Sequence, residues 1–248
     1  MKFAEMTAPM LRKVPRDATV VVAPIAACEQ HSNHLPTITD TVLVTGVAEG
    51  VERKLPREVL LLPTQWMGAS AHHLRFGGTL SAEVETHIEM LCDLLTPLLE
   101  DGYQRLLILN GHGGNIDTMQ VALRVLQPEY QDRILAAASY WDLAAKELAE
   151  LAEGPRTNMG HACEFETSMM LTLRPDLVRR EAIKDDPPRD DPVLRGLYVA
   201  EDMFQRTDHG AVGYPELATA EKGQRFLDVA INRTAEVVQA LLKRARPK

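Results

Sequence analysis

The chain has 248 residues, 45% hydrophobic and 25% charged, the balance of a globular protein long enough to bury a sizeable core. A formal net charge of −8 argues against a broad electrostatic surface for nucleic acid. Three scattered cysteines, Cys28, Cys92 and Cys163, make no disulfide framework and fit a reducing compartment. Residues 1–17 mix charged and small side chains without the apolar core of a signal peptide, and no later run nears the roughly 20 apolar residues of a membrane span. The expectation is a cytoplasmic protein with no membrane partner.

Residues 19–27 (TVVVAPIAA) form a nearly unbroken apolar run, as in a strand covered on both faces. A polar, histidine-rich segment follows over 29–40. Residues 41–55 read as a helix with Val44, Val47 and Val51 on one face, and 59–62 as a short second strand closed by Pro63. Residues 64–80 show no sustained period and contain three glycines, and a loop this long is usually functional. Trp66, His72, His73 and Phe76 favour order over disorder there.

Ser81 is placed to cap the next helix, with Glu83 and Glu85 in the first turn and Val84, Ile88, Leu91, Leu95, Leu98 and Leu99 as its buried stripe. Gly102 ends it. Residues 105–109 are the third strand, 116–126 a helix, 133–139 a fourth strand, 141–151 a helix, and 164–173 a short helix stopped by Pro175. The acidic, proline-rich stretch 184–193 reads as an exposed excursion. Residues 218–243 form a long helix carrying Phe226, Val229, Ala230, Val237 and Leu241, with Lys243, Arg244 and Arg246 suited to its carboxyl end. Strand and helix alternate four times, which predicts an α/β fold with a mostly parallel central sheet and helices on both faces. With no internal repeat and no compositional break, residues 1–248 read as one domain.

Three clusters concentrate metal-ligand side chains: Glu29-Gln30-His31 with His34 and Asp40 downstream, His112 within Asn110-Gly111-His112-Gly113-Gly114-Asn115, and His161-Ala162-Cys163-Glu164. The first two follow strands and so share a sheet edge, where ligands of open α/β sheets gather. Mixed imidazole and carboxylate donors suit zinc, manganese or iron better than calcium, and the lack of a CxxC pair excludes a thiolate structural zinc. Gly113 and Gly114 would let backbone approach a metal or anion, and Asn115 would cap the helix beyond. A phosphate-loop reading of this turn matches neither GxGxxG nor GxxxxGK[ST].

The combination EQHSNHLPTITD, NGHGGN and HACEFETSMM resembles the creatininase family of metal-dependent amidohydrolases, with SAHHLRFGGTLS and GAVGYPELATAEKG as supporting stretches. The resemblance implies a three-layer α/β/α domain, a hexameric or other homo-oligomeric assembly and two divalent metal ions per subunit, with zinc first and manganese or iron as alternatives. It implies Glu29, His31, Asp40, His112 and Glu164 as metal ligands, with Asp40 bridging, and His161 and Glu164 as catalytic. Glu29 and His112 would hold one ion, His31 and Glu164 the other.

The family's prototype has a glutamate where this chain has Gly114, and Glu164 is expected to replace that carboxylate. The prototype's tryptophan shortly before the catalytic histidine has no counterpart in residues 154–160, which weakens the case for creatinine itself. The implied reaction is hydrolysis of a C–N bond in a small cyclic amide or formamide. Alternatives are a peptide-trimming metallopeptidase of the same family and a metal-stabilised binding protein without turnover. Trp66, His73, Gly113 and Gly114 are the expected substrate-binding residues. His34 is expected to support the ligands by hydrogen bonding, and Glu166, two residues beyond Glu164, to point away and support the fold. His72, His87 and His209 carry no assigned role, and Cys28 and Cys163 are read as structural.

Overall fold

Four parallel strands, β1 (Val20–Ile25), β2 (Val59–Leu61), β3 (Arg105–Asn110) and β4 (Ile134–Ser139), lie in the order β2-β1-β3-β4. The structure is a computed structural model that describes residues 1–189, 193 and 196–245. β1 and β3 pair from Val20 opposite Arg105 to Ile25 opposite Asn110, and β3 and β4 from Arg105 opposite Ile134 to Asn110 opposite Ser139. The three strands therefore end level, and the loops that follow them emerge at one edge.

The apolar runs are unbroken because both sheet faces are covered. Val20 and Val22 of β1 and Leu107 and Leu109 of β3 enter one core, while Val21, Ala23, Ile25, Leu106 and Ile108 enter the other. On the first face lie α1 (Thr39–Lys54), α4 (Glu164–Leu173) and α5 (Ala220–Lys243), contributing Val44, Val47, Val51, Phe165, Met169, Phe226 and Ala230. On the second lie α2 (Val84–Glu100) and α3 (Ile116–Leu126), contributing Leu91, Leu95, Leu99, Met119 and Ala122. This is the three-layer α/β/α arrangement. Helices α4 and α5 approach so closely that a Cβ at Gly223 would collide with the Ser168 carbonyl oxygen. The buried Arg105 ties the sheet to the end of α5, donating to the carbonyls of Leu241 (2.8 Å) and Arg244 (3.4 Å).

Several local expectations are corrected. Ser81 does not cap α2: the helix starts at Val84 behind an extended Glu83 that makes no side-chain cap, and the Ser81 hydroxyl accepts from the Ser70 N–H at 2.8 Å instead. Val84 is outside the buried stripe and 52% exposed, because this first residue overhangs the sheet end and lines a cleft. Asn115 precedes α3 without capping it, its carboxamide being engaged elsewhere. The helix expected over 141–151 is broken into Tyr140–Leu143 and Ala145–Leu151. Residues 64–80 are an ordered loop with a 3-10 helix at Ala71–Phe76. Part of the 184–193 stretch (190–192) and Arg246 lie outside the described residues. No described helix is long and apolar enough to cross a membrane.

Burial separates two positions that the sequence pattern placed on one stripe. Leu91→Ala is expected to cost about 2–5 kcal/mol in urea unfolding, and Val84→Ala less than about 0.5 kcal/mol. Equal losses would show that α2 packs in a different rotation.

Candidate metal centre

The level strand ends bring the first two sequence clusters together. After β1 the chain passes through Glu29 and His31 and enters α1, whose first turn carries Asp40. After β3, Asn110 holds His112 by both backbone groups: its Oδ1 accepts the His112 N–H at 3.0 Å and its Nδ2 donates to the His112 carbonyl at 2.7 Å. Asn115 is a strut, accepting from the Ala69 N–H and donating to the Ala26 carbonyl, each at 3.0 Å. It pins the 64–80 loop to the end of β1.

Two imidazoles show what this edge is built to hold. His31 donates Nδ1–H to the Glu29 carbonyl (3.1 Å), which turns Nε2 toward Asp40 Oδ1 at 3.0 Å and Glu166 Oε1 at 3.9 Å. His112 directs Nε2 at the Ala69 carbonyl (3.3 Å) and the Ser70 hydroxyl (3.2 Å), leaving Nδ1 facing Glu29 Oε1 at 3.2 Å and Asp40 Oδ2 at 3.1 Å. A backbone carbonyl can only accept, so each ring has one proton committed and its other nitrogen set against carboxylates. That nitrogen must either take a second proton or share a cation with them.

The titration behaviour agrees with this demand for positive charge. Burial opposes charging His112, yet Glu29 and Asp40 together push it up to about 10. His31 is likewise raised well above its ordinary value, chiefly by Asp40 against the effect of burial. Asp40 is held far below the usual carboxylate range despite burial, by His31 and His112. Burial raises Glu29.

Four carboxylate oxygens, both of Glu29, Oδ2 of Asp40 and Oε2 of Glu166, are buried without a hydrogen bond. Three imidazole nitrogens surround Glu29 Oε1 (His112 Nδ1 at 3.2 Å, His73 Nε2 at 3.3 Å and His161 Nδ1 at 3.6 Å), yet none meets it in hydrogen-bonding geometry. Orphaned carboxylate oxygens interleaved with imidazole lone pairs fit a divalent cation of the zinc or manganese type. Three groups have donor atoms within 4.8 Å of one another: Glu29, Asp40 and His112; His31, Asp40 and Glu166; and Glu29, His31 and His161. Asp40 belongs to the first two.

The expected ligands Glu29, His31, Asp40 and His112 are thus brought together, and His161 stands beside them. Glu164 is not. Its Oε1 accepts from Lys222 Nζ at 2.8 Å and the Glu153 N–H at 3.1 Å, and its Oε2 from the Gly154 N–H at 3.0 Å. Glu166 takes the place expected for it. The two side chains do diverge along α4, but it is Glu166 that faces the sheet edge, while Glu164 neutralises a buried lysine. Lys222 was the missed signal: it lies four residues before Phe226, hence on the inward face of α5, and a buried ammonium needs a carboxylate.

A cleft of about 610 Å³ opens over Glu29, Asp40, Glu166 and His112. His73, Gly113, Gly114 and His161 line it; Trp66 does not, being 40% exposed elsewhere, and Trp141 at the end of β4 lines it instead. The sequence pattern marks Trp141 only as the start of a helix; the available clue is its position one strand-end away from His112. Arg156 and Arg206 also line the cleft. Gly113 faces open space, whereas a Cβ at Gly114 would strike the Ala69 carbonyl oxygen and the His112 ring, so that glycine serves packing. Three buried carboxylates beside this turn make it a repelling cradle for phosphate. His34 bonds Thr167 Oγ1 on α4 at 2.9 Å, adjacent to Glu166, and burial pushes it down to about 4. His87 bonds Thr118 Oγ1 between α2 and α3.

Sequence and fold comparisons converge on one group of proteins. The family model described as creatininase, creatinine amidohydrolase, matches residues 4–238. The chain is 29% identical over 236 residues to the creatinine amidohydrolase of Pseudomonas putida, spanning 89% of this chain and 88% of that protein. It is 30% identical over 234 residues to a mycofactocin precursor peptide peptidase of Mycobacterium tuberculosis, spanning 89% and 84%. A substituted creatininase of Zn-Zn type and a manganese creatininase each superpose with a TM-score of 0.80 at 27% identity, over 96% of this chain and 97% of theirs.

The two glutamates of α4 are separable by experiment. Glu166→Gln is expected to lower zinc retained after dialysis with little change in melting temperature of the metal-free protein. Glu164→Gln is expected to retain zinc but to lose about 1–3 kcal/mol of stability, by leaving buried Lys222 with the exposed Glu153 carboxylate at 3.2 Å as its remaining charged partner. The opposite pattern would return Glu164 to the metal centre.

Proposed function

The chain belongs to the creatininase family, and on that premise we propose that it is a divalent-metal-dependent hydrolase that cleaves the C–N bond of a small cyclic amide or formamide. The observation that carries this reading is Asp40, whose carboxylate is common to two adjacent donor groups at the floor of the cleft. In this reading Glu29, Asp40 and His112 hold one ion and His31, Asp40 and Glu166 a second. Zinc or manganese bound there would polarise a carbonyl and lower the pKa of water.

The chain's own groups supply the rest. His161 gives its Nε2–H to the Gln30 carbonyl at 2.8 Å, so its Nδ1 is the bare nitrogen, on the side of Glu29. Burial keeps this imidazole well below its ordinary pKa and therefore neutral. It is suited to take a proton from attacking water and pass it to the leaving nitrogen, while the water oxygen bonds the carbonyl carbon and the C–N bond breaks. Trp141 and Met159 give the cleft an apolar wall, which limits access of bulk water to the reacting atoms.

A second reading, trimming of a short peptide, is favoured by the size of the cleft. About 610 Å³ lies within the range that accommodates drug-sized ligands, more than a single small ring needs. The peptidase among the relatives supports it independently.

Chelation is expected to abolish turnover, and zinc or manganese to restore it, in a panel of creatinine, N-formyl compounds and short peptides. Less than about one tightly bound transition metal per chain, judged against the requirement of two-metal sites for a pair of ions, would sink the two-ion reading. His161→Ala should lower kcat about 10²–10⁴-fold while bound metal is retained. Loss of metal with the imidazole would make His161 a ligand.

A further inference from the structure

Gln30 lies between the ligands Glu29 and His31 and has so far entered only through its carbonyl. Its buried side chain is fully engaged, and the partners fix which end of the carboxamide is which. Oε1 accepts from the Ser32 N–H at 2.9 Å, and Nε2 donates to the Gly210 carbonyl at 3.2 Å. An N–H can only donate and a carbonyl can only accept, so the amide cannot be flipped. The backbone on both sides is shaped to this end: Ser32 adopts a left-handed φ of 57°, and Gly210 a φ of 89° with the Gln30 carboxamide where a Cβ would stand.

The remaining amide proton points at His73 Nδ1, 2.9 Å away. His73 must therefore accept at Nδ1 and carry its proton on Nε2, the nitrogen 3.3 Å from Glu29 Oε1. The Gln30 main chain does the same for His161, whose Nε2 is 2.8 Å from the Gln30 carbonyl. Gln30 Nε2 also lies 3.2 Å from that ring nitrogen, but both of its protons are already placed, so this approach is a contact and not a bond.

We propose that Gln30 is a positioning residue that sets the tautomers of two cleft histidines, His73 through its side chain and His161 through its backbone. The side chain puts a proton on the His73 nitrogen that lies 3.3 Å from Glu29 Oε1. The ring nitrogen nearest the carboxylate on that side is then a protonated one and not a lone pair, although the approach is not a formal hydrogen bond. The backbone leaves His161 Nδ1 bare toward the cleft. The consequence for turnover rests on the hydrolase reading; the tautomers themselves do not.

The test is the zinc-loaded protein labelled with ¹⁵N-histidine, with imidazole tautomers assigned from long-range ¹H–¹⁵N spectra. In the unsubstituted protein both His73 and His161 should be Nε2–H; an Nδ1–H signal for His73 would overturn the proposal whatever the enzyme does. Gln30→Glu keeps the acceptor for Ser32 but removes the donor, and should convert His73 to Nδ1–H while His161 stays Nε2–H. Zinc affinity or kcat should then fall about 10–100-fold, the usual cost of losing a group that orients a ligand, with KM changing less than about twofold. Gln30→Met, which offers no donor and only a weakly accepting sulfur, should leave His73 a mixture of tautomers. His73 unchanged in a folded variant would refute the side-chain role, and should both variants fail to fold, the spectrum of the unsubstituted protein decides alone. A protein with the expected tautomers but no amide turnover would fail the hydrolase reading and leave this one standing.

Discussion

Buried negative charge is the constraint on which the rest of this molecule depends. Glu29 and Glu166 each share a donor group with Asp40, and all three carboxylates are almost wholly removed from water. An isolated buried carboxylate is too costly to persist as an ion, so the surroundings must supply compensation or the groups must neutralise. Here compensation comes from imidazole rings whose one proton is already committed to a backbone carbonyl, that of Glu29, Ala69 or Gln30, which leaves the other nitrogen to the carboxylates. The rings cannot rotate away from the carboxylates without abandoning a hydrogen bond. The resulting polar nest is unstable as an uncharged cavity and suited to cations.

The fold exists around this nest in a specific sense. Level parallel strands are what bring residue 29 beside residue 112, although the two lie far apart in the chain. Two glycine-tight contacts at the site, at Gly111 against Val44 and at Gly114 beneath the Ala69 carbonyl, draw α1 and the 64–80 loop onto the end of β3. Asn110 then holds the His112 backbone, and Asn115 locks that loop to the end of β1. Packing sets the distances; the asparagines set the angles.

Much of this was legible in the chain. Unbroken apolar runs reported strands covered on both faces, and helix periodicity found the partner layers, because each pattern follows from which side chains must leave water. Clusters that follow strands, at Glu29 to Asp40 and at His112, were likewise readable from topology. What local pattern does not encode is rotation about a helix whose every face is buried: Glu164 and Glu166 are both inside the protein, and periodicity cannot say which buried side faces the sheet edge. The same limit hid Trp141 and misplaced Trp66, since a loop residue's direction is set by hydrogen bonds to segments distant in sequence. Val84 and Ser81 failed for a smaller reason, a helix that begins two residues later than its capping signal indicates.

The position of Gly114 draws these points together. A glutamate two residues beyond the glycine-turn histidine characterises the family's prototype, and here a Cβ at that position has no room between the Ala69 carbonyl and the His112 ring. The backbone of the 64–80 loop fills the volume in which such a side chain would begin. Glu166 brings a carboxylate to the cluster from α4, 3.9 Å from His31 Nε2 and in one donor group with Asp40. A site of this kind constrains the total charge and the placement of donor oxygens, and leaves free the element that supplies each one. Gly113, next to Gly114 in the turn, faces open space in the cleft. The cleft therefore carries the Asp40 and Glu166 carboxylates on its α1–α4 side and an open face at Gly113.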